Sequence, residues 1–377
     1  MKNLNPFLLS GYAGPDSFCD REAETARLVS NVRNGVNTTL ISIRRMGKTG
    51  LIHHAFHHLA QKNITGIYAD AFPVQNFRQF TNTIATAVLQ AIPEKKPLGR
   101  RFMEWLRLLR PVISFDHMTG LPEISFDFKQ PHQYEQSLTG ILHFLEKTGK
   151  TTVIAIDEFQ QVTFFPEKNT EALLRSLIQP LRHVRFIFSG SHRQLLTEIF
   201  TQSKHPFFSS TQMLYLNEIS EESYNRFIQK KFKKAGMAIE DDALEYILSF
   251  TRRHTWYTQA LCNRIYAYSE KKITRETVRH HAYSLLTEQE PVFYQYRNLL
   301  TAYQWSLLSA IARVDKLYQP SSKRFIGSFN VGTPSNVQRA LEALLNKEMV
   351  YAGNDEHGTY YRVYDCFLSR WLEMNES

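Results

Sequence analysis

The chain has 377 residues, 43% hydrophobic and 21% charged, with a formal net charge of +9. This is the composition of an ordinary globular protein; it excludes a disordered or fibrous chain, and the length is that of two or three domains, each with its own core. No apolar run approaches the about 18–20 residues that cross a bilayer, and Pro6, Gly11 and Asp16 interrupt the N-terminus too early for a signal peptide, so a cytoplasmic protein with no membrane partner is expected.

The three cysteines, Cys19, Cys262 and Cys366, stand far apart, with no CxxC and no Cys/His cluster. They read as reduced structural residues, neither a disulfide framework nor a zinc site. The positive charge is spread along the chain and leaves two readings open: attraction to phosphate-rich partners, or a solvated basic surface.

The first informative stretch is Thr39-Leu40-Ile41, a short buried strand running into Ser42-Ile43-Arg44-Arg45-Met46-Gly47-Lys48-Thr49, then a helical pattern from Gly50 through Phe56. Strand, loop and helix in that order suit a phosphate loop, in which backbone N–H groups and a helix N-terminus wrap anionic oxygens at close range. Gly47, Lys48 and Thr49 fit the pattern, and Ser42 stands where its first Gly is expected. On this reading Lys48 reaches the β and γ phosphates of ATP, Thr49 offers its hydroxyl to Mg²⁺, and the amides from Arg45 to Thr49 cradle the oxygens. The nucleotide-binding candidates are therefore Ser42, Arg44, Arg45, Met46, Gly47, Lys48, Thr49 and Gly50.

Gly66–Phe72 reads as a second strand, and Thr151–Ile156 as a third that ends at Asp157-Glu158. Apolar residues running into adjacent acids form a Walker B pattern, since the carboxyl end of a strand buried on both faces opens onto the ligand crevice of an open α/β sheet. Asp157 is the candidate for holding Mg²⁺ through water, and Glu158 for polarising the attacking water. A fourth strand, Val184–Phe188, ends at Ser189-Gly190-Ser191-His192-Arg193. Ser189 is the first candidate for a polar sensor of the γ-phosphate and Ser191 the second, while His192 and Arg193 either begin a helix or are simply solvated.

Alternating strands and helices predict an α/β fold, a P-loop NTPase with a doubly wound parallel sheet, over residues 1–215. Residues 96–134 read as an insertion: a basic amphipathic helix around Arg100–Arg107, then a hairpin turning near Thr119-Gly120. Its free edge could bind a partner or pack beside the helix. Residues 216–290 are helical throughout, with Ser220–Ser223 as a start signal, and read as a lid through which nucleotide state moves the C-terminal part. Arg252 or Arg253 reaches the γ-phosphate from there, or lies solvated at a helix end. Residues 291–377 read as a winged helix: a helix around Gln304–Ala312, a second capped by Thr333-Pro334, then two short strands around a Gly/Asn/Asp turn. If the second is a recognition helix, Ser335, Asn336, Gln338 and Arg339 face DNA, with Lys323 and Arg324 on the backbone; protein docking is the alternative.

Taken together these residues resemble the archaeal-type ATPases of the STAND branch of AAA+-related P-loop proteins. Phe18-Cys19-Asp20-Arg21-Glu22 is similar to the Gly-Arg-Glu segment that lies near the adenine in that family, which adds Asp20 and Arg21 to the nucleotide candidates. The double Arg before Gly47-Lys48-Thr49 looks like that family's phosphate loop, and Asp365–Leu372 resembles its Asp-Pro-Leu/Phe-x-x-Trp-Leu ending, with Cys366 replacing Pro. Two departures stand out. Ile43 takes the place of the family's usual Pro, and Arg253-His254-Thr255 replaces Gly-His-Pro between the lid helices, retaining His254 as the lid's nucleotide contact. The resemblance implies an Mg-dependent ATPase acting as a nucleotide switch, with ATP/ADP as ligands, and oligomerisation on ATP binding as an open option. A DNA-binding regulator with slow or vestigial hydrolysis, and a protein-interaction module, are the alternatives. HExxH, GxSxG and GxGxxG are all absent from the sequence, which removes zinc peptidases, α/β-hydrolases and Rossmann dehydrogenases.

Overall fold

A computed structural model describes residues 5–92, 97–268 and 271–375, in two compact units: Gly11–Asn217, and Glu218–Ser377 together with Met1–Ser10. Residues 1–4 and 376–377 of the expected end domains, residue 96 of the expected insertion and residues 269–270 of the expected lid lie outside the described residues.

The first unit runs α1 (Glu22–Arg33), β1 (Thr38–Ile41), α2 (Lys48–Ala60), β2 (Thr65–Asp70), α3 (Phe77–Ala91), α4 (Pro97–Arg107), β3 (Val112–Phe115), β4 (Pro122–Ser125), α5 (Pro131–Lys147), β5 (Thr152–Asp157), α6 (Thr170–Ile178), β6 (Val184–Gly190), α7 (Arg193–Thr201) and β7 (Gln212–Tyr215). Its sheet has five strands in the order β2-β5-β6-β1-β7, all parallel. The alternating faces of the strands feed two cores. Val153, Ala155, Leu40 and Ile187 join Leu51, Ile52, Ala55 and Leu59 of α2 on one side. Ile154, Ile156, Phe186 and Phe188 pack with α3 and α5 residues such as Phe80, Ile84, Leu138 and Ile141 on the other. Fully burying each such Val, Leu, Ile or Phe side chain stabilises the unit by about 1.5–3 kcal/mol, which is why the carboxyl halves of the central strands, Leu40-Ile41, Val153–Ile156 and Phe186–Phe188, read as apolar runs.

This is the doubly wound α/β fold read from the sequence, with β7 as an added strand. In β7 only Leu214 is buried, since the strand lies at the sheet edge and has β1 as its one neighbour, so it carries little hydrophobic signal. The expected insertion takes the form of α4 and an antiparallel β3–β4 hairpin. It docks through β4, where Thr86 of α3 bonds the Ile124 N–H (2.8 Å) and Gln90 donates to the Pro122 carbonyl (3.0 Å), while all four residues of β3 are exposed.

The second unit holds α8 (Glu221–Lys234), β8 (Ala238–Ile239), α9 (Asp241–Thr251), α10 (Thr255–Tyr268), β9 (Lys272–Ile273), α11 (Arg275–Asn298), α12 (Ala302–Val314), α13 (Lys323–Phe329), α14 (Pro334–Asn346), β10 (Val350–Asp355), β11 (Gly358–Val363) and α15 (Cys366–Asn375). Helices α12 to α14 followed by the β10–β11 hairpin make the winged helix. Ser220 and Thr333 cap α8 and α14 by accepting from the amides of Ser223 and Asn336, the start signals read in the sequence. Helix α11 continues through Pro291 to Asn298, so the expected junction at 290–291 lies inside a helix. The N-terminal segment belongs to this unit: the Asn5 side chain donates to the Asn263 carbonyl, the Asn263 side chain donates to the Phe7 carbonyl, and Phe7 is buried against Phe232.

Arg252 departs from both readings offered for it. Its side chain is 6% exposed and ion-pairs with Asp315 (2.6 Å) and Glu373 (3.1 Å), while Ser369 accepts a further bond from it (2.8 Å). It is therefore a buried strut of the C-terminal unit. Cys19, Cys262 and Cys366 are free and buried, as expected.

Candidate functional site

The sheet order builds the site. Strand β6 lies between β1 and β5, with Leu40 opposite Ser189 and Ile41 opposite Gly190, while Asp70 of β2 is opposite Asp157. The carboxyl ends of β1, β5 and β6 thus bring the loop after Ile41, Asp157-Glu158 and Ser189-Gly190-Ser191 to one edge of the sheet.

Between β1 and α2 the chain makes a tight loop. Ser42 and Ile43 are buried, the Ser42 hydroxyl donates to the Ile43 carbonyl (2.8 Å), and Met46 is buried as well, so apolar burial anchors the loop without the family's Pro. Arg45 (φ 64°) and Gly47 (φ 93°) take left-handed conformations; glycine does so freely, whereas a non-glycine residue costs of order 1–3 kcal/mol there. Helix α2 then starts at Lys48 behind a Gly47 cap that has no side chain, so the first-turn amides at the positive end of the helix dipole are available to an anion.

Lys48 is buried, which lowers its pKa, although the carboxylates of Asp157 and Glu158 favour its charge and Arg44 opposes it. Asp157 is 5% exposed and is satisfied by hydroxyls: Ser189 donates to Oδ1 (2.6 Å), and Thr49 (2.8 Å) and Tyr68 (2.8 Å) both donate to Oδ2. Burial first, and then the neighbouring Asp157 carboxylate, raises the Tyr68 pKa, so the phenol stays protonated and donates. The ring of His53 packs against that of Tyr68 (4.9 Å), and burial lowers its pKa against the opposing pull of the Asp157 carboxylate.

Glu158 sits in a left-handed turn (φ 53°) at the start of a 3₁₀ segment, Phe159–Phe164. Its Oε2 accepts from Gln160 Nε2 (2.6 Å), the Ser191 N–H (3.0 Å) and the Ser191 hydroxyl (2.9 Å). Arg44 Nε in turn donates to the Ser191 hydroxyl (3.3 Å). The two serines read as first and second sensor candidates have different partners, Ser189 holding Asp157 and Ser191 holding Glu158. His192 caps α7, accepting from the Leu195 amide, and Arg193 opens that helix.

The Asp20-Arg21 turn has two consecutive positive φ angles (59° and 73°) and follows Phe18, which stacks on His54 of α2 (4.3 Å) and bounds Gly50. The Arg21 guanidinium is engaged by Glu24 (2.8 Å) and the Asn217 carbonyl. His254 belongs to the other unit, where its ring packs on Tyr257 (4.7 Å). Tyr68 and Gln160 were not singled out from the sequence. The available signal for Tyr68 was a polar ring two residues before Asp70, on the same face of a strand paired with the Walker B strand.

The site residues present oxygen ligands and backbone amides: hydroxyl and carboxylate at Thr49 and Asp157, a set suited to Mg²⁺ with phosphate oxygens. Among the described residues no cluster of three or more His, Cys, Asp or Glu side chains forms a separate metal site, and no helix is long and apolar enough to cross a membrane.

Comparison with known proteins agrees with this geometry. No curated protein matches the sequence. Among solved structures, a Walker-type ATPase of Pyrococcus abyssi is 16% identical, with 98% of this chain and 100% of that one covered and a TM-score of 0.65. The ORC2 protein of Aeropyrum pernix, solved with ADPNP and ADP, is 15% identical over 99% and 96% of the two chains, TM-score 0.58. The ORC1 protein of the same organism, solved in complex with DNA, is 14% identical over 96% and 94%, TM-score 0.50. At these identities the likeness is one of fold. A family model described as a probable winged helix domain matches residues 291–374. The model for an ATPase domain predominantly from Archaea matches residues 18–252, more than half of the 377, and the chain therefore belongs to that ATPase family.

Proposed function

We propose that the chain binds ATP with Mg²⁺ at the carboxyl edge of the first unit and hydrolyses it as a nucleotide-driven conformational switch. The observation that carries this reading is Asp157: one buried carboxylate takes hydrogen bonds from Thr49 of α2 and Ser189 of β6, with Lys48 charge-coupled to it and Glu158 next in sequence. Bound there, magnesium would neutralise phosphate charge. Lys48 and the loop amides hold the phosphates, Thr49 and Asp157 hold the ion, Ser189 fixes the Asp157 carboxylate, and Glu158 orients the attacking water. The Asp20-Arg21 turn is assigned to the adenine side. The helical region of residues 216–290 is assigned the role of a lid that responds to nucleotide state.

The test is Mg²⁺-dependent ATP binding and phosphate release by the full chain, beside Lys48→Ala and Glu158→Gln. Binding lost in the first, and kept without turnover in the second, is the expected pair; equal turnover in wild type and Glu158→Gln rejects the assignment.

A second activity, contact of the winged helix with duplex DNA, is supported by α14. Ser335, Gln338 and Arg339 are exposed while Val337, Ala340, Leu341 and Leu344 face the core, and Lys323 and Arg324 are exposed nearby in sequence. Duplex affinity should fall steeply with salt, and Arg339→Ala should weaken it. A salt-independent or undetectable interaction rejects this contact.

A further inference from the structure

We propose that His54 and His58, one turn apart on α2, form a two-histidine site for a divalent transition ion of the zinc class, and that this ion pins residues 12–18 to the helix. His54 and His58 come five and nine residues after Thr49, about 7.5 and 13.5 Å further along the axis at about 1.5 Å per residue. They are assigned no part in holding phosphate or Mg²⁺, so the site stands or falls apart from the nucleotide reading.

Side chains four residues apart on a helix share a face and meet. Here they meet through their outer nitrogens: His54 Nε2 and His58 Nε2 are 3.3 Å apart, with the rings at 79°. That spacing is longer than the about 2.7–3.2 Å of ordinary N–H···O hydrogen bonds. A tetrahedral zinc ion with bonds of about 2.0–2.1 Å sets two ligand nitrogens about 3.3–3.4 Å apart, which is the spacing found. Both rings are half-buried, so one side of the pair is open to an ion from solvent. Among the described residues no third His, Cys, Asp or Glu completes the set, so the ion keeps water in its remaining positions and binds less tightly than at a closed four-ligand site.

The inner nitrogen of His54 is held as that of a metal ligand usually is. The Tyr12 hydroxyl lies 2.8 Å from His54 Nδ1. A ligating histidine donates its other N–H to an oxygen, which fixes the tautomer and the ring orientation; with Nε2 on the ion, Nδ1–H donates to the Tyr12 oxygen. Burial raises the Tyr12 pKa, so the phenol stays neutral and does not compete as an anion. Phe18 stacks on the same imidazole, centroids 4.3 Å apart at 19°, and Tyr12 meets Phe18 edge-on at 5.9 Å. The His54 ring is therefore oriented by two neighbours before an ion arrives. Metal binding also needs the neutral imidazole; burial, then the nearby His58 and His57, lower the His54 pKa and keep its lone pair available at neutral pH.

The donor set decides the ion. Imidazole nitrogen suits Zn²⁺, Cu²⁺ and Ni²⁺, whereas Mg²⁺ takes oxygen, so Mg²⁺ leaves the pair alone. An ion on His54 and His58 fixes the ring on which Tyr12 and Phe18 rest. It therefore stabilises the docking of residues 12–18 on α2, since a ligand that binds only the folded arrangement shifts the equilibrium toward it. Tyr12 is a positioning residue here, acting on the ion through His54.

The experiment titrates zinc chloride into the full-length protein by calorimetry, at neutral pH with Mg²⁺ present throughout, for the wild type, His54→Gln, His58→Gln, Tyr12→Phe and His57→Gln. Thermal unfolding with chelator is the folding control, and it is repeated with Zn²⁺. The expected result is an affinity at least about tenfold weaker in His54→Gln and His58→Gln, about tenfold weaker in Tyr12→Phe, whose Tm in chelator should match the wild type, and within about twofold of wild type in His57→Gln. At a Zn²⁺ concentration of about ten times Kd, the wild-type Tm should rise by about 3–6 °C, and that rise should be absent in the two ligand variants. A wild type that takes up no Zn²⁺, or His54→Gln and His58→Gln that bind it as tightly as the wild type, overturns the site and leaves the two rings as a hydrogen-bonded pair. A loss in His57→Gln equal to that in His54→Gln overturns this choice of ligands. If a ligand variant fails to fold, Tyr12→Phe decides: wild-type affinity there overturns the proposal, and the tenfold loss supports it.

Discussion

Replacing Tyr68 by Phe isolates one bond of the Asp157 cluster and leaves the packing unchanged. The phenol donates to Asp157 Oδ2 at 2.8 Å, and the aromatic ring, which Phe retains, packs against His53 at 4.9 Å. A hydrogen bond to a charged acceptor contributes about 1.5–3 kcal/mol. Asp157, though only 5% exposed, keeps Thr49 and Ser189 as donors, so the loss belongs at the lower end, about 1.5 kcal/mol. For a unit of this size 1 kcal/mol moves Tm by roughly 2–4 °C, which gives a fall of about 3–6 °C. The assay is thermal unfolding of the full chain by circular dichroism. The transition of the first unit is identified as the one that rises on adding Mg-ATP, because a ligand that binds only the folded state stabilises it. Tyr215→Phe, at a site 44% exposed, is the control and should shift Tm by less than about 1 °C. If Tyr68→Phe is as silent as Tyr215→Phe, the phenol contributes nothing to Asp157 and the hydroxyl cluster is not the structural unit described above.

Gly66→Ala should destabilise the first unit by about 1–3 kcal/mol, read as a lower urea midpoint at unchanged slope, because its Cβ would sit 2.3 Å from the Phe56 ring; adding Phe56→Leu should recover part of the loss. Arg252→Met should cost the second unit about 2 kcal/mol, below the value for a fully buried pair because Asp315 and Glu373 are 40% and 26% exposed, and an unchanged Tm would contradict the strut. The hydrogen bond from Lys316, then that from Tyr318, holds the Asp355 carboxyl down to about 2. A depressed folded pKa gives stability that is present above the ordinary 3.8 and lost as pH falls through about 2, so Asp355→Asn should flatten the acid limb of the stability curve between those values and leave its shape near neutrality unchanged.

What could be read from the sequence follows the physics of burial. The central strands β1, β5 and β6 are covered on both faces, so each runs into its carboxyl end through apolar residues, Leu40-Ile41, Val153–Ile156 and Phe186–Phe188, and the polar groups that follow, Ser42, Asp157 and Ser189, marked the fold and the candidate site together. Strand β7 escaped because one paired edge and one buried side chain, Leu214, leave no periodic signal. Caps announced α8 and α14 because Ser220 and Thr333 bond amides only three residues away, a local matter. Long-range partners are different: nothing near Arg252 in the sequence announces Asp315 or Glu373, and a basic residue after a helix resembles any solvated one. Tyr68 and Gln160 escaped for the same reason, since a hydroxyl or amide acquires meaning here only through strand register and the return of the chain beneath β6. Ile43 stands where the resembled family usually has Pro, and burial of Ile43 and Met46 anchors the loop by another route.

The charge layout of the site narrows what fits it. Arg44 and Lys48 come from the loop and α2, and Asp157 and Glu158 from the end of β5, and these opposite charges are near enough that the carboxylates favour the Lys48 ammonium that burial disfavours. A bare polyanion would gain Lys48 and the loop amides while facing two carboxylates; a bare cation would gain Asp157 and Thr49 while facing Lys48 and Arg44. Only a ligand carrying both signs, phosphate toward α2 and a hard cation toward β5, meets complementary charge throughout. It also separates Lys48 from its carboxylate partners without leaving either unpaired in a buried place, a separation that is otherwise costly. On the proposed reading, metal and nucleotide therefore bind as one ligand, and the three hydroxyls gathered on Asp157 hold the buried carboxylate in place in the interim.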